Sequence, residues 1–334
     1  MTASAGGAAR GSAIQRLRAR LVAAFSRLVA ILPEGPVDAT AGLVGDAWYR
    51  LAGGRAALGR RNLQRVVRFL DANDLGSPAV RAAARDGGDL ERLLRSTFRE
   101  TVRYYLDVAR LPSRRPADLD RRLHVETAPA VDRAFGPDAP VVLAAMHFGE
   151  VEFPAMLAVR RSGQPIRAPM ETLDDPPLQD WIRRSRSSVG VEVVPLRNAR
   201  KSLLEALAGG RSVGLVADRN VAGGVVNVTF FGATAPLPMG PALLAVESGR
   251  PLYLAAVRRA GGGRYRGALQ PVEVAAAGTR RARIETTMRN LATAMERAIA
   301  AAPDQWWSLL SPIWPDLDPR AATGTGRLEP EAAA

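Results

Sequence analysis

A continuous apolar run, Val141-Val-Leu-Ala-Ala-Met146, bounded by Pro140 and His147, constrains the fold of this chain most. A short Val/Leu/Ala run without polar alternation predicts a strand buried on both faces, as in parallel sheets. His147 then stands at the carboxyl end of that strand, the edge at which open α/β sheets bind ligands. Gly149 permits a sharp turn, and a helix is predicted from about Glu150 through Met156 and Leu157. One strand-to-helix turn thus holds an imidazole and two carboxylates, Glu150 and Glu152, and a His oriented by a carboxylate is suited to general base work. Five helical residues rotate by about 500°, so His147 and Glu152 meet only if His147 lies outside the helix. His147 is the favoured catalytic candidate, weighed against a satisfied core histidine. The other histidine, His124, has no such placement.

The rest of the chain repeats this logic. The first third reads as helical, with segments at 37–52, 56–71, 78–86 and 89–110 broken by Gly53-Gly54, Gly76-Ser77-Pro78 and Gly87-Gly88. Strand and helix patterns alternate from about 122: strands at 165–170, 191–194, 212–217, 251–258 and 264–274, and helices at 176–190, 199–208 and 281–301, with another helix opening at Gly240-Pro241. The predicted fold is α/β, a central and mostly parallel mixed sheet flanked by helices, behind a helical N-terminal third. Ser212–Ala217 is a second apolar strand, and Asp218-Arg219 follows it as His147 follows the first. Two such edges in one sheet converge on one crevice. Asp218 is therefore a second candidate, against a plain loop-capping or salt-bridged role.

Before all this, Ile14, Leu17, Leu21, Phe25, Leu28 and Leu32 recur at spacings of 3, 4, 4, 3 and 4, with Arg16, Arg20 and Arg27 off the stripe. Two readings of this basic amphipathic helix at 13–32 stay open: it lies in a membrane interface, or its stripe packs on the domain. Residues 1–12 and 320–334 read as disordered, and 33–319 as a single domain. The net charge of +13 favours an anionic partner such as a phospholipid surface, a nucleic acid or a phosphorylated substrate. Basic residues are scattered with no aromatic-interleaved patch, so nucleic acid is not the expected partner. The absence of Cys removes thiolate chemistry, and two His make a metal site unexpected. No apolar run approaches the roughly 18 residues of a spanning helix, and arginines interrupt any signal-peptide core. A peripheral protein on the cytoplasmic face of the membrane is expected.

His147-Phe-Gly-Glu-Val-Glu152 has the His-x4-acid pattern of the glycerolipid acyltransferase superfamily. Ala217-Asp-Arg-Asn220, Phe230-Phe-Gly232, Leu237-Pro-Met-Gly-Pro241 and Gln305-Trp…Pro312-Ile-Trp314 resemble the branch of lipid A and phosphatidylinositol mannoside acyltransferases, as do Arg61-Asn-Leu63 and Arg103-Tyr-Tyr105. Glu150-Val-Glu152 departs from the Asn-Trp-Asp ending usual in the actinobacterial members. The resemblance, over about 28–316, implies a glycerol-3-phosphate acyltransferase-like fold and an O-acyltransferase without cofactor. The acyl donor would be acyl-CoA or acyl carrier protein, and the acceptor a glycolipid sugar hydroxyl. His147 would be the base and Glu152 the acid that holds the imidazole, with Glu150 its rival by proximity. Arg186 and Arg219 would bind substrate, and Asp218 would fix Arg186 or the acceptor. A lipid A-type enzyme, a non-catalytic membrane scaffold and a hydrolase are the competing readings.

Overall fold

A computed structural model describes residues 11–135, 140–220 and 223–318 of the 334. Five helices come first: α1 (Ala13–Ile31), α2 (Glu34–Leu51), α3 (Gly53–Ala72), α4 (Pro78–Arg85) and α5 (Gly87–Arg110). The paired glycines predicted as breaks instead open α3 and α5, where first-turn amides need no intrahelical partner. Ser12, placed by the sequence in a disordered start, forms a capping box with Gln15 on α1. The remaining residues expected to be disordered, 1–10 and 320–334, and Gly11 aside, lie outside the described residues. Helix α5 is the centre of this third, with Leu94 and Phe98 fully buried and Trp48 meeting the Phe98 ring edge-on at 4.9 Å.

The α/β part then runs α6 (Pro116–Arg122), β1 (Leu123–Val125), α7 (Ala128–Ala134), β2 (Val142–Ala145), α8 (Phe153–Ser162), β3 (Ile166–Met170), α9 (Pro176–Ser187) and β4 (Val191–Pro195). It continues with α10 (Ala199–Ala208), β5 (Val213–Val216), the hairpin β6 (Val225–Phe230) and β7 (Ala233–Pro238), α11 (Gly240–Ser248), β8 (Leu252–Gly261), β9 (Arg264–Val272) and α12 (Arg280–Ala300). The short elements β1, α6 and α7 carry too little periodicity to be read from sequence. Seven strands form one sheet in the order β1-β9-β8-β2-β5-β3-β4, in which only the β8/β9 pair is antiparallel.

The uniform apolarity of 141–146 has a direct cause. Val142, Ala144 and Met146 enter one core with α3, α5 and α10–α12, while Val141 and Leu143 enter a second with Phe153 and Met156 of α8. From β2 the chain moves outward past β5 to β3 and β4, returns to β5, and later crosses to β8 on the other side of β2. The carboxyl ends of β2 and β5 therefore border the switch point at which such sheets bind ligands.

Helix α1 turns its apolar stripe away from the domain. Its inner face is held by polar contacts: Ser26 Oγ donates to the Ala109 carbonyl at 2.5 Å, Gln15 Nε2 to the Asp174 carbonyl at 2.7 Å, and Arg18 Nε to Asp175 at 2.7 Å. The apolar stripe faces outward, with Leu17 56% and Leu21 60% exposed. It does not pack on the domain. Leu43, Val44 and Leu51 of α2 are exposed as well. Among the described residues, no helix is long and apolar enough to cross a membrane.

Candidate active site

The register of β2 against β5 builds the site. Ala145 lies opposite Val216, and Ala217 N–H donates to the Ala145 carbonyl at 3.0 Å. Neighbouring strands lie about 4.8 Å apart, so the residues two positions beyond this pair, His147 and Asp218, emerge side by side. His147 Nδ1 lies 2.9 Å from Asp218 Oδ1, and Asp218 Oδ2 accepts the His147 backbone N–H at 3.0 Å. Trp306 Nε1 donates to the same Oδ2 at 2.7 Å. Asp218 is fully buried. Burial pushes its carboxyl pKa up, but His147 and the Trp306 and Ser308 donors outweigh burial and hold it below the usual range. Asp218 is thus an anion placed to accept a proton from Nδ1, and the tautomer it favours carries its lone pair on Nε2. The His147 side chain is 18% exposed.

Pairing on both sides fixes the turn after His147. The His147 carbonyl accepts Trp307 N–H at 3.1 Å, Gly149 N–H donates to the Gln305 carbonyl at 3.0 Å, and Glu150 N–H to the Val257 carbonyl at 3.0 Å. Gly149 has φ +54°, and a Cβ there would lie 2.0 Å from the Val257 carbonyl oxygen, so only glycine fits. These pairings keep 148–150 out of the helix, and α8 begins at Phe153 rather than near Glu150.

That later start changes the roles expected of the two glutamates. Glu152 accepts Arg186 Nε at 2.9 Å and Nη2 at 2.8 Å, both on Oε1. Its partner is the guanidinium and not the imidazole. Arg186, 22% exposed, is held still more firmly protonated by the Glu152 charge. Glu150 is buried and turns toward Asp107. Burial, then the Asp107 charge and a hydrogen bond to it, raise the Glu150 carboxyl well above the usual range. Asp107 remains ionised among Arg259, Arg114 and Tyr265. The carboxylate on His147 is therefore Asp218, where the sequence reading has Glu152 or Glu150. Asp218 in turn contacts His147 and not Arg186. Arg219 is half-buried, and its Nε meets no acceptor among the described residues. His124 is exposed on the edge strand β1.

The Phe230-Phe231, Trp306…Trp314 and Asn62 motifs frame this pair. Trp306 and Trp314 are fully buried and pack with Phe230 and Phe231 at centroid distances of 5.6–6.3 Å, which fixes the indole that donates to Asp218. Asn62, fully buried, donates to the Leu309 and Ser311 carbonyls at 2.9 and 3.0 Å and pins the segment after Trp307. Beside the Glu152–Arg186 pair lies a mainly apolar cavity of about 70 Å³ bordered by Ala145, Ala168, Gly214 and Val216. Among the described residues, no cluster suited to a metal ion is present.

A His–Asp pair at the switch point of a mostly parallel sheet, with a mainly apolar cavity nearby, is an arrangement suited to general base chemistry. Residues 10–314 match the model of the family described as bacterial lipid A biosynthesis acyltransferase, and the chain belongs to that family. It is 30% identical over 235 residues to a phosphatidylinositol mannoside acyltransferase of Mycolicibacterium smegmatis, covering 69% of this chain and 71% of that one. It is 32% identical over 214 residues to a Mycobacterium tuberculosis protein of the same name, covering 62% of each. The chain is an O-acyltransferase of this family.

Proposed function

We propose that the protein moves a long fatty acyl chain from acyl-CoA to a mannose hydroxyl of a phosphatidylinositol mannoside, with His147 as general base. The observation that carries this reading is the His147–Asp218 pair, an imidazole whose Nδ1 proton is claimed by a buried anion. Nε2 would take the proton of the acceptor hydroxyl as its oxygen attacks the thioester carbonyl carbon. The C–S bond then breaks, and the imidazolium returns the proton to the leaving thiolate, giving an ester and the free thiol. Asp218 would fix the tautomer and stabilise the transient imidazolium. Glu152 would act through Arg186, locking a guanidinium that binds a substrate phosphate, and Arg219 would add a second positive charge to that side. The apolar cavity next to Glu152 would receive the start of the acyl chain.

The mannoside acceptor is supported by the names of the mycobacterial relatives. The outward stripe of α1, with arginines off it, would lie in an anionic membrane surface on the cytoplasmic side. The test is mass spectrometry of phosphatidylinositol dimannoside incubated with palmitoyl-CoA and enzyme. A product heavier by one palmitoyl ester, absent with His147→Ala, is expected. Transfer only from palmitoyl-carrier protein, or only to a lipid A precursor, would replace this reading with the lipid A-type one suggested by the family description.

A further inference from the structure

Two motifs of the chain have no part in the proton transfer: Tyr104-Tyr105 on α5, and Trp307 after the buried Trp306. The fold brings them together beside the base. Consecutive helical residues point about 100° apart, so the two tyrosines diverge. Tyr104 is buried, and Tyr105 is 52% exposed. The Trp307 ring lies 4.3 Å from the His147 ring, 4.9 Å from Tyr104 and 6.3 Å from Tyr105, all centroid to centroid. Aromatic surface therefore runs without interruption from solvent at Tyr105 to the edge of the imidazole.

The chemistry of this surface selects its ligand. Ring faces carry negative charge and attract weakly positive C–H groups. A pyranose offers such C–H groups on one face and hydroxyls around its rim. An acyl chain is better served by the apolar cavity beside Glu152, and a phosphate by Arg186. Trp307 Nε1–H is buried and has no acceptor among the described residues, so the platform offers a sugar its ring surface and not this donor.

We propose that Tyr105 and Trp307 form the stacking platform for the pyranose whose hydroxyl is acylated. Tyr104 holds Trp307 in place from behind. This assignment rests on the sugar-acceptor reading above. It makes these rings determinants of acceptor choice, with no part in donor binding.

Tyr105 is the residue to change, because its exposure leaves the fold intact. Tyr105→Ala is expected to raise KM for phosphatidylinositol dimannoside about tenfold, with kcat and the palmitoyl-CoA KM within about twofold of wild type. Tyr105→Phe, which keeps the ring, should retain the wild-type KM. An unchanged acceptor KM in Tyr105→Ala, or a rise confined to the palmitoyl-CoA KM, overturns the platform. Calorimetric binding of deacylated phosphatidylinositol dimannoside, which needs no transfer, separates this inference from the functional reading. Binding by wild type that is weakened in Tyr105→Ala upholds the platform even if transfer to that lipid is absent. Equal binding by both proteins, or none by wild type, overturns it.

Discussion

His147 Nδ1 and Asp218 Oδ1 lie 2.9 Å apart at the ends of adjacent parallel strands, and the second carboxylate oxygen of Asp218 holds the backbone N–H of the same histidine. One buried anion thus fixes both the ring and the main chain of His147. Asp218 is itself anchored by Trp306, which sits among Phe230, Phe231 and Trp314. Trp306 thus links the aromatic core to His147 through Asp218.

Glu152 and Asp218 should separate cleanly on mutation. Glu152→Gln removes the charge opposite Arg186 and leaves a mostly buried guanidinium without its counterion. Breaking such a pair costs about 3 kcal/mol, read as a drop in thermal midpoint. The pH dependence of its residual kcat should match wild type, because the His147–Asp218 bond is untouched. A displaced pH profile would show that Glu152 acts on His147 after all.

Glu150 predicts a stability effect with a definite sign. Its folded pKa lies well above its ordinary 4.5, so between those two values the folded protein binds a proton that the unfolded chain has lost. Stability contributed by this group is present below the unfolded value and falls as pH rises through the window. Glu150→Gln carries no titrating proton there and keeps an N–H donor for Asp107. The thermal midpoint of the variant relative to wild type should therefore increase from pH 5 to pH 8. A difference that stays constant or shrinks across that range would contradict the protonated Glu150.

Gly149 has no tolerated replacement. Gly149→Ala must relieve an overlap with the Val257 carbonyl and abandon φ +54°. A cost of about 2–4 kcal/mol in chemical denaturation is expected, with activity lost as the His147 turn shifts. Gly163, also at positive φ but with open space around it, serves as the control. Gly163→Ala should cost about 1 kcal/mol and leave activity intact.

The stripe on α1 supplies a test of membrane docking that spares the core. Leu21→Glu with Phe25→Glu replaces side chains that are 60% and 48% exposed, so the thermal midpoint should hold. Co-flotation with phosphatidylinositol-containing vesicles should fall by about tenfold or more, because two apolar contacts are replaced by charges that an anionic surface repels. Undiminished flotation would assign the stripe another partner.

Much of this architecture was legible in the sequence because burial leaves a pattern. A strand buried on both faces reads as a continuous apolar run, as 141–146 does, whereas the apolar stretch 213–217, which the sequence reads as buried, leaves Val216 37% exposed. The polar residues ending those runs identified His147 and Asp218 as edge residues. Their pairing was not legible. It depends on the register of β2 against β5, and a separation of 71 residues says nothing about register. Glu150 is a rival by nearness in sequence, but Glu152 is the expected partner because the His-x4-acid pattern couples it to His147. Its side chain is carried away by the bridges of Gly149 and Glu150 to Gln305 and Val257, backbone contacts that leave no trace in residue type. For α1, the periodicity revealed the stripe but not its direction. The direction is set by Ser26, Gln15 and Arg18, which look like ordinary surface residues until their partners are placed.

The central claim is that His147, poised by Asp218, takes the acceptor proton. It is tested most directly by thiol release from palmitoyl-CoA, with and without phosphatidylinositol dimannoside, in wild type, His147→Ala and Asp218→Asn. Wild type should release thiol only when the acceptor is present. His147→Ala should be inert, and Asp218→Asn should lose roughly 10³- to 10⁴-fold in kcat, since a neutral amide neither enforces the tautomer nor stabilises the imidazolium. Acceptor-dependent release by Asp218→Asn within a few fold of wild type would contradict the claim.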